Sequence, residues 1–202
     1  SRLREIRKSR LSADSTILRS AAVLRHRGRD LDENYDIASG ILDVLEAKIV
    51  GSEILAHPMV MMQGGQELAI DLNRFLAELY REFAVRPETT RQHSLGKTQR
   101  LAARSWIRDG ECFVNHMDGN VAGLDHATNV PYSIELLEAE MVPMSMTAAG
   151  IDSKLLRYGV LLDEWGKPQE YLMLLDHPGD SALGLFGVSS ALGGSLLNVK
   201  DI

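Results

Sequence analysis

The stretch QRLAARSWIRDGECFV, residues 99–114, marks the change from a helical to a strand-rich half of this chain. Arg100, Arg104 and Arg108 recur every four residues, so they share one face of a helix predicted over residues 96–108. The opposite face is apolar and carries Trp106. We therefore expect Trp106 in the core between helix and sheet, with the arginine stripe facing away from it.

The helix ends at Asp109-Gly110, because glycine readily takes the left-handed conformation that follows a helix.

Upstream, apolar residues at helical spacing predict helices near residues 15–27, 30–50 and 67–85. The face of the second helix that carries Tyr35, Ile41 and Leu45 is expected to be buried. Downstream, the pattern predicts strands near residues 111–117, 132–141, 154–162 and 169–176, a hairpin turn at 163–168 with a positive φ at Gly166, a flexible loop to residue 195, and a strand from residue 196. Helices followed by strands predict an α+β fold, with N-terminal helices packed on a strand-rich second half.

The composition is that of a globular protein. The chain has 202 residues, 45% of them hydrophobic and 25% charged, and no apolar run approaches the roughly 18 residues that a membrane helix needs. Its single cysteine, Cys112, excludes an internal disulfide and favours synthesis in a reducing cytoplasm. Trp165, in the predicted hairpin, is expected to pack on the sheet.

The charge is divided unevenly between a basic N-terminus and an acidic body. Residues 1–29 hold nine Lys/Arg and two Asp/Glu, whereas residues 30–202 hold thirteen and twenty-six. We interpret residues 1–29 as a partly helical basic arm and residues 30–202 as one α+β domain, helical to residue 108 and strand-rich from residue 109. The candidate contacts with nucleic acid or a protein partner are Arg2, Arg4, Arg7, Lys8 and Arg10. A solvated terminus is the more ordinary explanation of the same charges, and both stay open.

No pattern in the sequence predicts an active site. His116, Asp118, Asp125 and His126 could ligate a metal, but their spacing matches no ligand motif and their residue types are usual in turns.

The remaining catalytic candidates have equally ordinary explanations. Cys112 is expected to be buried and inert, and Glu135, Glu138 and Glu140 resemble a solvated sheet edge. Gly96-Lys97-Thr98 lacks the earlier glycine and the preceding strand of a phosphate-binding loop. The sequence therefore predicts no catalytic residue, no metal and no cofactor.

Four motifs in order resemble the portal proteins of lambda-type tailed phages. They are an Arg-Asp-Leu-x-x-Asn-x-x-x-Ala helix that ends at a glycine (residues 29–51), a Gly-Glu strand start (110–111), an Ile-Glu-x-x-Glu strand (134–140) and a Gly-x-x-x-Asp-x-Trp-Gly-x-Pro hairpin (159–168). This resemblance implies a structural protein, not an enzyme, and corresponds to the N-terminal wing portion of the family.

The resemblance also implies a setting and partners. Portal subunits form a ring, usually of twelve copies, at one vertex of the capsid, and they assemble in the host cytoplasm. Double-stranded DNA passes through the ring non-specifically during packaging and ejection, terminase docks on it, and capsid and head-completion proteins bind it, with no membrane involved. The alternative is a phage-encoded DNA-processing enzyme or regulatory binding module whose motifs agree by chance.

Overall fold

The computed structural model describes residues 13–65, 67–151, 154–174, 177–178 and 194–198. This part of the chain contains four α-helices, α1 (Ala13–Asn34), α2 (Asp36–Ile49), α3 (Ile70–Val85) and α4 (Leu95–Asp109), and a short 3₁₀ helix (Ala139–Met141). Its strands are β1 (Phe113–Asp118), β2 (Tyr132–Leu137), β3 (Ala148–Ile151), β4 (Lys154–Arg157), β5 (Val160–Leu162), β6 (Pro168–Leu174) and β7 (Gly194–Asn198). The predicted α+β class, helices first and strands second, is confirmed.

The first two helices are divided later than predicted. Residues 30–34 continue α1, and the chain breaks at Tyr35, whose φ of −130° and ψ of 105° are extended. The predicted end of the first helix at residue 27 is wrong because the helix continues through Gly28, and no residue from there to Asn34 ends it. Gly28 is needed for packing, since a Cβ there would lie 2.7 Å from the carbonyl oxygen of Arg108 in α4.

The orientation of α4 is the reverse of the prediction. The side chains of Arg104 and Arg108 are 22% and 21% exposed and face α1 and α2, whereas Trp106 is 58% exposed. The predicted end of the helix is correct, because Gly110 has a φ of +90° and donates its N–H to the carbonyl of Trp106.

The segment between α2 and α3 is irregular, as expected, but two side-chain amides hold it in place. The amide of Gln99 in α4 accepts the N–H of Ile54 at 2.8 Å and donates to its carbonyl at 3.0 Å. Asn73 in α3 binds the N–H and carbonyl of Val60 in the same way, at 2.8 and 3.0 Å. Each amide thus satisfies a backbone N–H of the segment and adds a second hydrogen bond to a carbonyl that also accepts from Tyr80 or from the N–H of Ala69.

The strands form two antiparallel sheets. β1 pairs with β2 from Phe113↔Leu137 to Asp118↔Tyr132, and the second sheet has the order β3-β4-β5-β6-β7. The rings of Phe113 and Tyr171 lie 5.4 Å apart and bring the sheets together. β7 includes residues 194–195, which the sequence placed in a loop, while the rest of that loop, residues 179–193, lies outside the described residues.

Two details of the second sheet differ from the prediction. The single strand expected at residues 154–162 is a hairpin, because Tyr158 and Gly159 turn the chain at φ values of +54° and +79°. The turn after β5 has Gly166 at +78°, as predicted, but Trp165 is 93% exposed and does not pack on the sheet.

The described core is small for the length of the chain. Its buried apolar residues are Val50, Leu95, Ala103, Ala139, Val142, Leu161 and Met173. The expected burial of one face of α2 is wrong, since Tyr35, Ile41 and Leu45 are 56%, 56% and 38% exposed. Among the described helices, none is long and apolar enough to cross a membrane.

Candidate functional site

An arginine–carboxylate cluster occupies the place where α1, α2, α4 and the start of the strand-rich half meet. Its arginines are Arg25 and Arg29 of α1 and Arg100, Arg104 and Arg108 of α4, and its acids are Asp32, Asp43, Glu46, Asp109, Glu111, Glu138 and Glu140. The arginine stripe of α4 was predicted to face outward. Instead, α4 contacts its neighbours through this stripe.

Asp109 lies at the centre of the cluster, with a side chain that is 0% exposed. Arg29 donates to its two oxygens at 3.2 and 3.0 Å, and Arg108 does so at 3.0 Å to each. Burial disfavours the charged carboxylate, but the hydrogen bonds from Arg108 and Arg29 outweigh it, and the pKa of Asp109 is lowered. Asp109, the last residue of α4, is therefore an ionised carboxylate that is shielded from solvent.

Asp32 repeats this arrangement between α1 and α4. Arg104 donates to both of its oxygens and Arg108 to one of them, and the hydrogen bond from Arg104 is the main cause of the lowered pKa of Asp32. Arg104 also binds Asp43 at 2.6 Å and Glu46 at 3.4 Å, both in α2. One guanidinium therefore joins three helices.

Arg25 extends the cluster to the strand-rich half. Its side chain is 8% exposed, and it binds Glu111 at 2.9 Å, the carbonyl of Ala139 at 3.3 Å and the sulfur of Met144 at 2.8 Å. Arginine presents several donors in a fixed plane, which suits one side chain to several acceptors. Chemically, the cluster can hold elements in fixed positions.

Glu138, Glu140 and His177 bring three possible ligand atoms within 4.8 Å of one another. Arg29 already contacts the same carboxylates, at 2.9 Å from Glu138 and 3.3 Å from Glu140. A metal ion bound there would face a guanidinium, so we assign these residues to the ion-pair cluster. Glu138 is 53% exposed, as a solvated position would be, but it and Glu140 lie beyond the end of β2 and pair with Arg29 of α1 rather than forming a sheet edge.

Three of the four residues considered as metal ligands have other interaction partners. The ring nitrogens of His126 contact the hydroxyl of Ser133 at 2.8 Å and the carbonyl of Gly119 at 2.7 Å. His116 contacts the hydroxyl of Tyr132, and Asp125 pairs with Arg91 at 2.8 Å. His126 thus braces the loop that connects β1 and β2, whereas His116 contacts β2 from within β1.

The candidate nucleophile, Cys112, and the candidate phosphate-binding loop, Gly96-Lys97-Thr98, are also part of the packed structure. The thiol of Cys112 is partly buried, rather than fully buried as predicted, and burial raises its pKa, so the reactive thiolate is disfavoured. Gly96 packs against segment 51–53, where a Cβ would lie 2.5 Å from the carbonyl oxygen of Ser52, and Thr98 is 2% exposed. That packing fills the space a bound phosphate would need.

The basic contacts proposed from sequence, Arg2, Arg4, Arg7, Lys8 and Arg10, lie outside the described residues. What sequence reasoning missed is an apolar surface. Ile37, Ile41 and Val44 lie one helical turn apart on the outer side of α2 and are 81%, 56% and 59% exposed. The available signal was that apolar residues of α2 surround more than one face, which is unusual for a helix at the surface of a monomer.

The comparisons with known proteins agree with the sequence motifs. The family described as "Phage portal protein, lambda family" matches residues 1–190. A "Probable portal protein" of Halomonas phage phiHAP-1 is 21% identical over 171 residues, which cover 84% of this chain and 32% of that protein. The chain therefore spans about a third of the length of this curated relative. Because the family match includes nearly the whole sequence, this chain belongs to the lambda family of phage portal proteins.

Proposed function

We propose that this chain is the wing portion of a portal subunit that closes into a ring at one vertex of a phage capsid. Double-stranded DNA would be packaged and ejected through that ring, with terminase and head-completion proteins docking on it. The family match over residues 1–190 carries this proposal. The portal family is structural rather than enzymatic.

Two features of the described residues support assembly. The outer side of α2 and the segment before α3 expose large apolar side chains, among them Ile37 at 81% and Met59 at 72%. Groups of exposed large apolar side chains are a common sign of a protein contact. The arginine–carboxylate cluster meanwhile holds α1, α2 and α4 in one arrangement, so a partner would meet a surface with a fixed shape.

The basic N-terminus is proposed to serve assembly rather than DNA reading. Residues 1–29 carry an excess of seven positive charges and residues 30–202 an excess of thirteen negative charges, so Arg2, Arg4, Arg7, Lys8 and Arg10 can offset repulsion between acidic neighbours. A protein that reads DNA sequence normally carries its basic residues on the folded domain, whereas residues 30–202 are acidic here. The division into an arm (1–29) and a body (30–202) stays a prediction.

Native mass spectrometry of the intact protein tests the proposed function. We expect a closed ring of many copies, whereas a monomer or dimer at every concentration would contradict it. Deleting residues 1–12 should reduce the ring population most at low salt, where charges are least screened. Replacing the five basic residues by glutamine in a full-length control separates the effect of charge from that of chain length. If both variants leave the ring population unchanged, the basic arm has no role in ring assembly.

A further inference from the structure

The turn between β5 and β6 has a hydrogen-bonded backbone and presents an indole to solvent. Asp163 accepts the N–H groups of Trp165 and Lys167 on one carboxylate oxygen, at 2.9 and 2.8 Å, and Gln169 donates to the other at 3.2 Å. The N–H of Gly166 binds the carbonyl of Asp163 at 3.0 Å. These bonds fix the backbone of the turn, while the Trp165 side chain stays 93% exposed.

A fixed, solvent-exposed tryptophan is a favourable anchor for a protein contact. Its backbone is already ordered, so binding costs little further conformational entropy, and burying the indole removes a large apolar area from water. Tryptophan is accordingly among the residues that contribute most to interface affinity. The exposed turn also places the charges of Glu164 and Lys167 on either side of the indole in the sequence.

A cleft with matching chemistry lies at the end of α3. Its volume is about 250 Å³, and its apolar lining comes from Leu55, Tyr80, Ala84 and Val85. The two charged side chains in its lining are Glu53 and Arg81.

We propose that Trp165 of one subunit inserts into this cleft of the next subunit, with Glu164 facing Arg81 and Lys167 facing Glu53. This inference rests on the proposed ring and names a contact within it. The indole is in solvent in this chain, and the proposal places it in the cleft of a second copy. Because the turn and the cleft are different surfaces, the contact is head-to-tail, the type that generates a ring when the rotation between subunits closes.

A second open cleft, before and at the start of α3, fits the turn less well. Its lining includes Glu67 and Asp71 and no basic side chain. The turn carries Asp163 and Glu164 against one lysine, so the two surfaces would repel each other. A third cleft, between α4 and β2, contains Arg104 and Arg108, but both already pair with carboxylates of the same chain, Asp32 and Asp109. Of these three clefts, the one that contains Arg81 therefore fits the charges of the turn best.

Charge reversal tests which residues face each other. In the intact protein, Glu164→Arg and Arg81→Glu should each reduce the ring population seen by native mass spectrometry, because each places like charges together at every subunit contact. The combined variant restores opposite charges, and we expect it to restore the ring. Trp165→Ala should weaken association at least tenfold, and its exposed position means that circular dichroism should stay that of the wild type.

The outcomes separate this contact from the proposed function. Rings that persist in Trp165→Ala and in both reversals would overturn the contact and leave the portal ring standing. Single reversals that weaken the ring without rescue in the combined variant would also overturn it, since the two residues would not be neighbours. A wild-type protein that forms no ring would overturn both proposals together.

Discussion

Replacing Asp109 by asparagine tests whether the arginine–carboxylate cluster holds the helices together. The side chain of Asp109 is 0% exposed, and Arg29 and Arg108 around it are 19% and 21% exposed. Removing one partner of a buried ion pair typically costs about 3–5 kcal/mol, because the other charge stays buried without compensation. Here Arg29 can still reach Glu140 and Arg108 can still reach Asp32, so we expect Asp109→Asn to lower the free energy of unfolding by about 2–3 kcal/mol.

Urea denaturation followed by circular dichroism measures this change, and Asp125→Asn is the matched control. Asp125 also pairs with an arginine, Arg91 at 2.8 Å, but its side chain is 90% exposed, so its midpoint should match that of the wild type. A midpoint for Asp109→Asn equal to that of the control would refute the assignment of the cluster as the central support of the fold.

The same variant should show a defined pH dependence. The pKa of Asp109 is lowered in the folded protein, so its stabilising effect is complete above the ordinary carboxyl pKa of about 3.9 and is lost as the pH falls through the folded-state pKa. The stability difference between wild type and Asp109→Asn should therefore shrink below about pH 4. A difference that stayed constant on acidification would show that the charge of Asp109 is not its source.

Three further outcomes are expected. Trp106→Ala should change the free energy of unfolding by less than about 1 kcal/mol, because the indole is more than half exposed, and urea denaturation checks this. Asn73→Leu removes both hydrogen bonds to Val60, so the Val60 amide should exchange with deuterium faster than in the wild type, and stability should fall by about 1–2 kcal/mol. The raised pKa of Cys112 predicts slower alkylation by iodoacetamide at pH 8 in the folded protein than in urea, and equal rates would contradict the partial burial of the thiol.

Several local features of this chain can be predicted from neighbouring residues alone. The end of α4 at Gly110, the turn at Gly166 and the order of helices before strands all follow from contacts between residues close in the chain. Glycine at a positive φ and a change in apolar period are local signals, so no knowledge of distant partners was needed. The motifs of the portal family are of the same kind, and the family match over residues 1–190 confirms them.

Which helix faces point inward depends on contacts between residues that are distant in the sequence. Helical spacing separates the arginine face of α4 from the Trp106 face, but it does not say which of them meets the protein. The deciding partner is distant, since Arg104 binds Asp32, 72 residues away in the sequence. Once buried carboxylates from α1 and α2 compensate these arginines, the polar face becomes the inner one and the apolar faces of α2 and α4 stay exposed, because a charge can leave water when it is paired and hydrogen-bonded.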